Sequence, residues 1–249
     1  MTYTILHNEP LTAQIWRMQL QGPCADYRAG QFVEIQLPSF FLRRPISVCD
    51  VTEGGQDGKT VLTLIYKVVG AGTQEMTTFR SGTALDLLAP LGNGYDLSKA
   101  GTKPLLIGGG VGIPPLYLLA KQLRAQGKEV QVVLGFNTAA EMFYINEFES
   151  LGCAVSVATA DGSAGVKGFV TDAVPAAYSE TYYYACGPFP MLQSVIRRLG
   201  TCGGMSMEER MGCGFGVCMG CSIQTSDGPR RVCTDGPVFP AGELLIMNE

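Results

Sequence analysis

Pro104-Leu105-Leu106-Ile107-Gly108-Gly109-Gly110-Val111-Gly112-Ile113-Pro114-Pro115 is the stretch on which the fold turns. PLLI reads as a short buried strand, the glycines as a tight turn, and Pro114-Pro115 as the first turn of a helix. Proline suits that position because its missing N–H would be unpaired there anyway and its φ is already helical. In PPLYLLAKQLRAQG the residues Leu116, Leu119, Ala120 and Leu123 share one face, and Gly127 supplies the stop. Strand, glycine turn and helix in that order form the opening unit of a parallel, doubly wound sheet.

The chain downstream repeats the alternation. VQVVLGF is a strand, a helix is expected around Ala140–Leu151 with Gly152 ending it, AVSVAT and TYYYACG are further strands, and PMLQSVIRRLG is a last helix. Upstream the pattern differs. QIWRMQL, QFVEIQL, RPISVC and TVLTLIYKV are short β segments separated by Gly, Pro, Asp and Asn, with one short helix expected near Gly72–Phe79. Strands at this spacing imply an antiparallel barrel. The expected organisation is a β-barrel over residues 1–98, a doubly wound nucleotide domain over 99–201, and a glycine- and cysteine-rich appendage over 202–249.

Of nine cysteines, Cys213, Cys218, Cys221 and Cys233 fall together as C-x4-C-x2-C-x11-C, with Gly212, Gly214, Gly216 and Gly220 between them. Three thiolates from one tight loop and a fourth from elsewhere are the ligand pattern of plant-type [2Fe–2S] centres. Interleaved glycines let backbone N–H groups approach the sulfur atoms. The alternative is a structural Zn(Cys)4 site, although zinc ribbons usually pair two short C-x2–4-C knuckles and only one C-x2-C occurs here. The odd cysteine total argues against a disulfide framework.

Composition narrows the function. The 249 residues carry 16% charged side chains, a net charge of −4 and a single histidine, His7. No basic surplus exists for a nucleic-acid backbone. Triads built on imidazole have one poorly placed candidate. The N-terminus lacks the basic and apolar regions of a signal peptide, and the longest uncharged run, between Lys103 and Lys121, is broken by glycine and proline. A cytoplasmic protein without a membrane span is expected, and its low charge fits a surface partly covered by a partner.

Four features in chain order carry a resemblance: Arg44-Pro45-Ile46-Ser47, Tyr66-Lys67-Val68-Val69-Gly70-Ala71-Gly72-Thr73, Gly108–Pro115, and Cys186-Gly187-Pro188. Together they resemble the ferredoxin–NADP reductase superfamily. With E-E-R-M-x-C-G-x-G-x-C-x-G-C at Glu208–Cys221, the whole chain is similar to the electron-transfer subunits of NAD-dependent (class 1B) dihydroorotate dehydrogenases. The eleven residues before Cys233 are a short version of that pattern.

The resemblance implies FAD held by Arg44, Pro45, Ile46 and Ser47, by Ile65, Tyr66 and Lys67, and by Gly72 and Thr73. It places NAD at Gly109, Gly110 and Gly112, puts Cys186 beside the nicotinamide as a positioning residue, and assigns the cluster to the four clustered cysteines. Arg44 is a planar cation suited to a diphosphate, its alternative being a surface salt bridge. For Cys186 the alternative is an inert core thiol. The segment after VQVVLGF holds Glu141, Glu147 and Glu149 and no basic residue, which favours NAD over NADP, although Lys167 in DGSAGVKG leaves NADP open.

The implied partner is an FMN-containing dihydroorotate dehydrogenase subunit, two of each chain forming a heterotetramer, with electrons passing from FMN through the cluster and FAD to NAD. Two other readings remain: a subunit of a bifurcating transhydrogenase or sulfide dehydrogenase, and a zinc-stabilised binding module without redox activity.

Overall fold

A computed structural model describes residues 1–54, 58–176, 178 and 182–245. Thr181, in one expected strand, and the last four residues of the 202–249 segment lie outside the described residues.

The N-terminal strands β1 (Thr2–Pro10), β2 (Ile15–Gly22), β3 (Phe32–Ile35), β4 (Arg44–Gly54), β5 (Lys59–Lys67) and β6 (Ala84–Leu91) close into an antiparallel barrel in the order β1-β2-β5-β4-β3-β6. Tyr3, Ile5, Met18, Leu20, Val33, Ile35, Val48, Leu62 and Leu64 fill it without solvent exposure. A short helix α1 (Ala71–Met76) follows β5. The barrel is the one expected, with β1 and β6 added to the strands legible beforehand.

The second layer system is a seven-stranded sheet. Its strands are β7 (Leu105–Gly109), β8 (Gln131–Phe136), β9 (Ala154–Thr159), β10 (Val166–Lys167), β11 (Tyr183–Cys186), β12 (Gly203–Ser206) and β15 (Val238–Pro240), in the order β10-β9-β8-β7-β11-β12-β15. All neighbours are parallel except β12 and β15. Helices α2 (Pro114–Ala125) and α4 (Phe189–Leu199) cover opposite faces. Leu106, Val132, Leu134 and Tyr184 pack with α2 and the barrel, while Leu105, Ile107, Val133 and Ala185 pack with α4. Alternation with both faces buried explains the continuous apolar runs of these strands. Lys121 of α2 reaches Asp50 of β4 at 2.7 Å and ties the barrel to the sheet.

One expectation needs correction. The helix over Ala140–Leu151 is instead a 3-10 turn at Ala139–Glu141 and a short α3 at Ile145–Ser150. Phe143 and Tyr144 are both buried but pack against different rings, Phe136 at 5.8 Å and Tyr117 at 5.1 Å. Consecutive residues on one helix face cannot do this, and Tyr144 takes φ 66 to achieve it. The cysteine-rich 202–249 segment is also woven into the nucleotide sheet. Strands β12 and β15 complete the sheet, and the cysteine loop with its hairpin β13 (Ser222–Thr225) and β14 (Gly228–Arg231) is inserted between them. Among the described residues, no helix is long and apolar enough to cross a membrane.

Candidate functional site

Strand order reverses between β7 and β11, and the carboxyl ends of these two strands, Gly108 opposite Cys186, face one crevice. Doubly wound sheets bind ligands at such a point. The glycines there have separate tasks. A Cβ on Gly112 would overlap the Cys186 carbonyl and the Gly187 nitrogen, so the two strand-end turns pack backbone to backbone. Gly109 lies against the Met191 sulfur, whereas Gly110, at φ +53, has open space where a side chain would be.

Two cavities meet there, both lined by Gly109, Val111 and Pro188. The smaller, 190 Å³, runs between the barrel and the sheet past Phe32, Pro45, Ser47, Cys186 and Glu208. The larger, 410 Å³, continues over β8 past Lys67, Gly110, Gly135, Asn137 and Glu141.

On the barrel side, Pro45 and Ser47 of β4 lie opposite Glu34 and Phe32 of β3 and share a face with them. Ile46 belongs to the other face and packs on the core. The Arg44 guanidinium donates to the Leu42 carbonyl at 2.7 Å and sits 4.6 Å over the Phe40 ring. It lies directly on Gly72, where a Cβ would come within 2.8 Å of Cζ. A planar cation resting on bare backbone is a cradle that fits a dinucleotide diphosphate. Ile65 and Tyr66 are 3% and 1% exposed, and the Tyr66 hydroxyl is spent on Asn8 at 3.0 Å. Only their backbone can meet a ligand, while half-buried Lys67 reaches the larger cavity. The Thr73 hydroxyl is likewise consumed: it accepts from the Val69 and Gly70 N–H groups and donates to the Gly70 carbonyl.

Cys186 lines the smaller cavity, and burial pushes its thiol up to about 12, outweighing the Ser206 hydroxyl that lowers it. A thiol in that state is neutral near pH 7 and suits a neutral wall better than a nucleophile. Glu208 stands at the same cavity, its carboxyl raised by burial and then by Glu209.

The cysteine loop spans residues 211–221. The N–H groups of Val217 and Cys218 donate to Cys213 Sγ at 3.2 and 3.4 Å, and Cys233 N–H points to Cys221 Sγ at 3.5 Å. Burial pushes the Cys213 thiol up, but the N–H groups of Cys218, Phe215 and Val217 outweigh it and bring the thiol down to about 6. The Cys213 thiol interacts with Cys218, and the Cys233 thiol with Cys221 and, less strongly, with Cys213. A tetrahedral zinc site needs four donors at one point, whereas a two-iron centre shares four thiolates between two irons. Four thiols in a C-x4-C-x2-C-x11-C arrangement, with backbone N–H groups aimed at the sulfurs, are a donor set that fits a two-iron group.

Glu34 was missed by the sequence reading. It is fully buried between β4 and the cysteine loop, and a Cβ on Gly214 would come within 2.6 Å of its Oε1. Neither carboxyl oxygen has a hydrogen-bond partner. Burial raises this carboxyl to about 7, with Arg43 opposing, Cys213 adding and Arg44 opposing. Glu34 thus lies on the same face as the cavity-lining Phe32, Pro45 and Ser47 and against Gly214 of the cysteine loop.

At the far end of the larger cavity, Asn137 donates to Glu141 at 2.9 Å. Of the three acidic residues singled out, only Glu141 lines the cavity, and Lys67 is the one cation among the described residues that line it. Lys167 lies outside that lining and lays its stem on Gly162.

Comparison with known proteins agrees with this geometry. Residues 208–245 match the iron–sulfur cluster binding domain of dihydroorotate dehydrogenase B, and residues 106–197 match the oxidoreductase NAD-binding domain. The chain is 40% identical over 258 residues to the dihydroorotate dehydrogenase B (NAD(+)) electron transfer subunit of Fusobacterium nucleatum, covering 98% of this chain and 97% of that one. The corresponding subunit from Geobacillus sp. is 41% identical over 255 residues, with 98% and 97% covered. Among solved structures, an NADH-dependent reduced ferredoxin–NADP oxidoreductase studied for flavin-based electron bifurcation superposes with a TM-score of 0.86 at 31% identity. That match covers 97% of this chain and 88% of the other. Phthalate dioxygenase reductase, at 22% identity and a TM-score of 0.65 over 80% of this chain and 64% of its own, shares the fold.

Proposed function

The chain belongs to the family of electron transfer subunits of dihydroorotate dehydrogenase B (NAD(+)), and on that footing we propose how its residues link a partner subunit to NAD. The reading rests on one observation above the rest. A cysteine loop with neighbouring thiols packs, through Gly214 on Glu34, against the barrel face that lines the smaller cavity, and that cavity joins the one over the nucleotide sheet.

In this proposal Arg44, supported by Phe40 and seated on Gly72, holds the diphosphate of FAD. Pro45 and Ser47 wall the ring system from one side. The flavin, when bound, supplies the exchange between one-electron and two-electron transfer that joins an iron–sulfur centre to a nicotinamide. Cys213, Cys218, Cys221 and Cys233 hold the [2Fe–2S] group. Gly109, Gly110 and Gly112 admit the dinucleotide close to the strand ends, and Cys186 and Glu208 border its nicotinamide end. Glu141, oriented by Asn137, accepts from the adenine ribose hydroxyls and repels a 2′-phosphate, which selects NAD over NADP. The partner is an FMN-bearing subunit that oxidises dihydroorotate in pyrimidine biosynthesis, two copies of each chain forming the complex.

The test is a native mass spectrum of the complex purified anaerobically from its own host through a tag on this chain. Masses for FAD, two irons with two sulfides and an FMN-bearing subunit are expected. FAD and cluster with a different partner would keep the cofactor assignment and overturn the dihydroorotate assignment. Zinc without flavin would overturn both.

A further inference from the structure

We propose that the Thr234 hydroxyl donates a hydrogen bond to a sulfur of the bound iron–sulfur group and thereby raises its reduction potential. Among the described residues, four buried side-chain oxygens have no hydrogen-bond partner: both of Glu34, the Tyr95 hydroxyl and Thr234 Oγ1. Buried polar atoms are nearly always paired, so such oxygens mark where a bound group completes the structure. Three of the four lie against the cysteine loop, Glu34 at Gly214 and Thr234 at Gly216. Thr234 follows Cys233 directly, and its backbone is fully engaged. Its N–H donates to the Arg231 carbonyl at 3.3 Å, and its own carbonyl accepts from Asn93 at 2.8 Å. The Arg231 carbonyl also takes the N–H groups of Asp235 and Gly236, which leaves that acceptor crowded. Thr234 Oγ1 lies 3.4 Å from where a Cβ of Gly216 would be, and the Gly216 N–H interacts with the Cys233 sulfur. Hydroxyl, glycine and sulfur thus meet at one corner of the loop.

The chemistry of the two sides matches. Sulfide and thiolate sulfurs accept hydrogen bonds and have none to give, whereas Thr234 brings an O–H that stays protonated at any ordinary pH. Arg231, which also touches Gly216, has its guanidinium committed to the Gly216 carbonyl at 2.7 Å and to Asp235 at 3.6 Å. A donor binds more tightly to the form that carries more negative charge. The Thr234 bond therefore strengthens when one electron is added to the group, and the proton remains on Oγ1 throughout. One electron moves and no proton does, and hydrogen bonds to the sulfurs are a recognised control of such potentials. The inference rests on the iron–sulfur reading above and adds to it a side chain that sets how readily the group is reduced.

A redox titration of the loaded complex, followed by electron paramagnetic resonance, tests it. Thr234→Val keeps the shape and removes the hydroxyl. It is expected to lower the midpoint potential by about 59 mV, a tenfold shift in a one-electron equilibrium, with iron content unchanged. Thr234→Ser restores the potential. Electron–nuclear double resonance after exchange into D2O is expected to show one exchangeable-proton coupling fewer in Thr234→Val than in the wild type. Thr234→Ala supplies the same readings if the valine variant does not assemble. Wild-type potential and couplings in Thr234→Val overturn the proposal. Loss of iron from both Thr234→Val and Thr234→Ala overturns it as well, since the residue would then hold the group rather than tune it. Wild-type protein that carries zinc and no iron overturns the iron–sulfur reading itself.

Discussion

Between Gly108 and Gly112 the chain brings backbone against backbone: a Cβ at 112 would collide with the Cys186 carbonyl, and one at 109 with the Met191 sulfur. Between Cys213 and Cys221 it exposes side chains instead. Phe215, Val217 and Met219 are 54%, 73% and 55% exposed, and the Cys213 and Cys218 thiols are met by backbone N–H groups of the loop itself. The first region is specified by what is absent from rigid strand ends, and its shape exists before any ligand arrives. The second is specified by four sulfur atoms on a loop with little packing of its own, so a bound centre supplies order that the chain does not. Damage to the first should therefore spread through the fold, and damage to the second should stay local.

The largest expected effect tests that locality. Cys221→Ala removes one thiol of the buried pair with Cys233 and should abolish cluster absorbance and electron transfer to the partner subunit. Reduction of the flavin by NADH should persist near the wild-type rate, because the nucleotide groove contains no part of the loop beyond Met211. Stopped-flow flavin reduction, read beside iron content, decides the matter. Loss of NADH-driven reduction in a flavin-loaded variant would show the two regions to be coupled.

Next in size is a substitution in the rigid region. Gly112→Ala places a methyl group on the backbone of Cys186 and Gly187 and should cost about 3 kcal/mol or more, because neither turn can yield without moving a sheet strand. Gly110→Ala meets no atom and only forces φ +53 on alanine, a cost of about 1 kcal/mol. Thermal melts of the pair separate packing from strain. Equal losses would mean that the strand-end turns are less tightly joined than the structure indicates.

The same contrast explains what could be read from the sequence. Helix Pro114–Ala125 was legible because its stripe, its paired prolines and its glycine stop all agree. The cysteine spacing was legible because ligand chemistry fixes it. Strand β1 was not, since Asn8-Glu9-Pro10 breaks its alternation, and β6 ends in an Ala-Pro step that reads as a loop. Strand β12, GGMS, carries no periodic signal; its first glycine is there because the Tyr183 ring lies across it. Glu34 was hidden for a tertiary reason. Alternation along Phe32–Ile35 points it out of the barrel toward water, and only the loop from a segment some 180 residues later buries it. Tyr66 and Thr73 show which part of a residue the fold leaves for a ligand, the backbone and not the side chain. Their sequence positions matched a flavin site, but their hydroxyls are occupied by Asn8 and by the turn at Gly70.

The smallest functional effect is expected where the two regions present the same chemical group. Burial holds the Cys186 thiol near 12, while burial opposed and outweighed by backbone N–H donors leaves Cys213 near 6. The thiolate is the species that alkylates, so in the cluster-free chain at pH 7 Cys213 is mostly reactive and Cys186 is ionised on the order of one part in 10⁵. Iodoacetamide mapping by peptide mass spectrometry should label Cys213 and spare Cys186 until the protein is denatured. Lowering the pH through 6 should suppress the Cys213 label as its thiolate takes up a proton, and raising it to 9 should still leave Cys186 unlabelled. Cys186→Ala should accordingly retain flavin and cluster and raise KM for NADH roughly threefold, the size of effect that follows from losing a few wall contacts. Prompt labelling of native Cys186 at pH 7 would make it a reactive group, and the neutral wall assigned to it here would have to be abandoned.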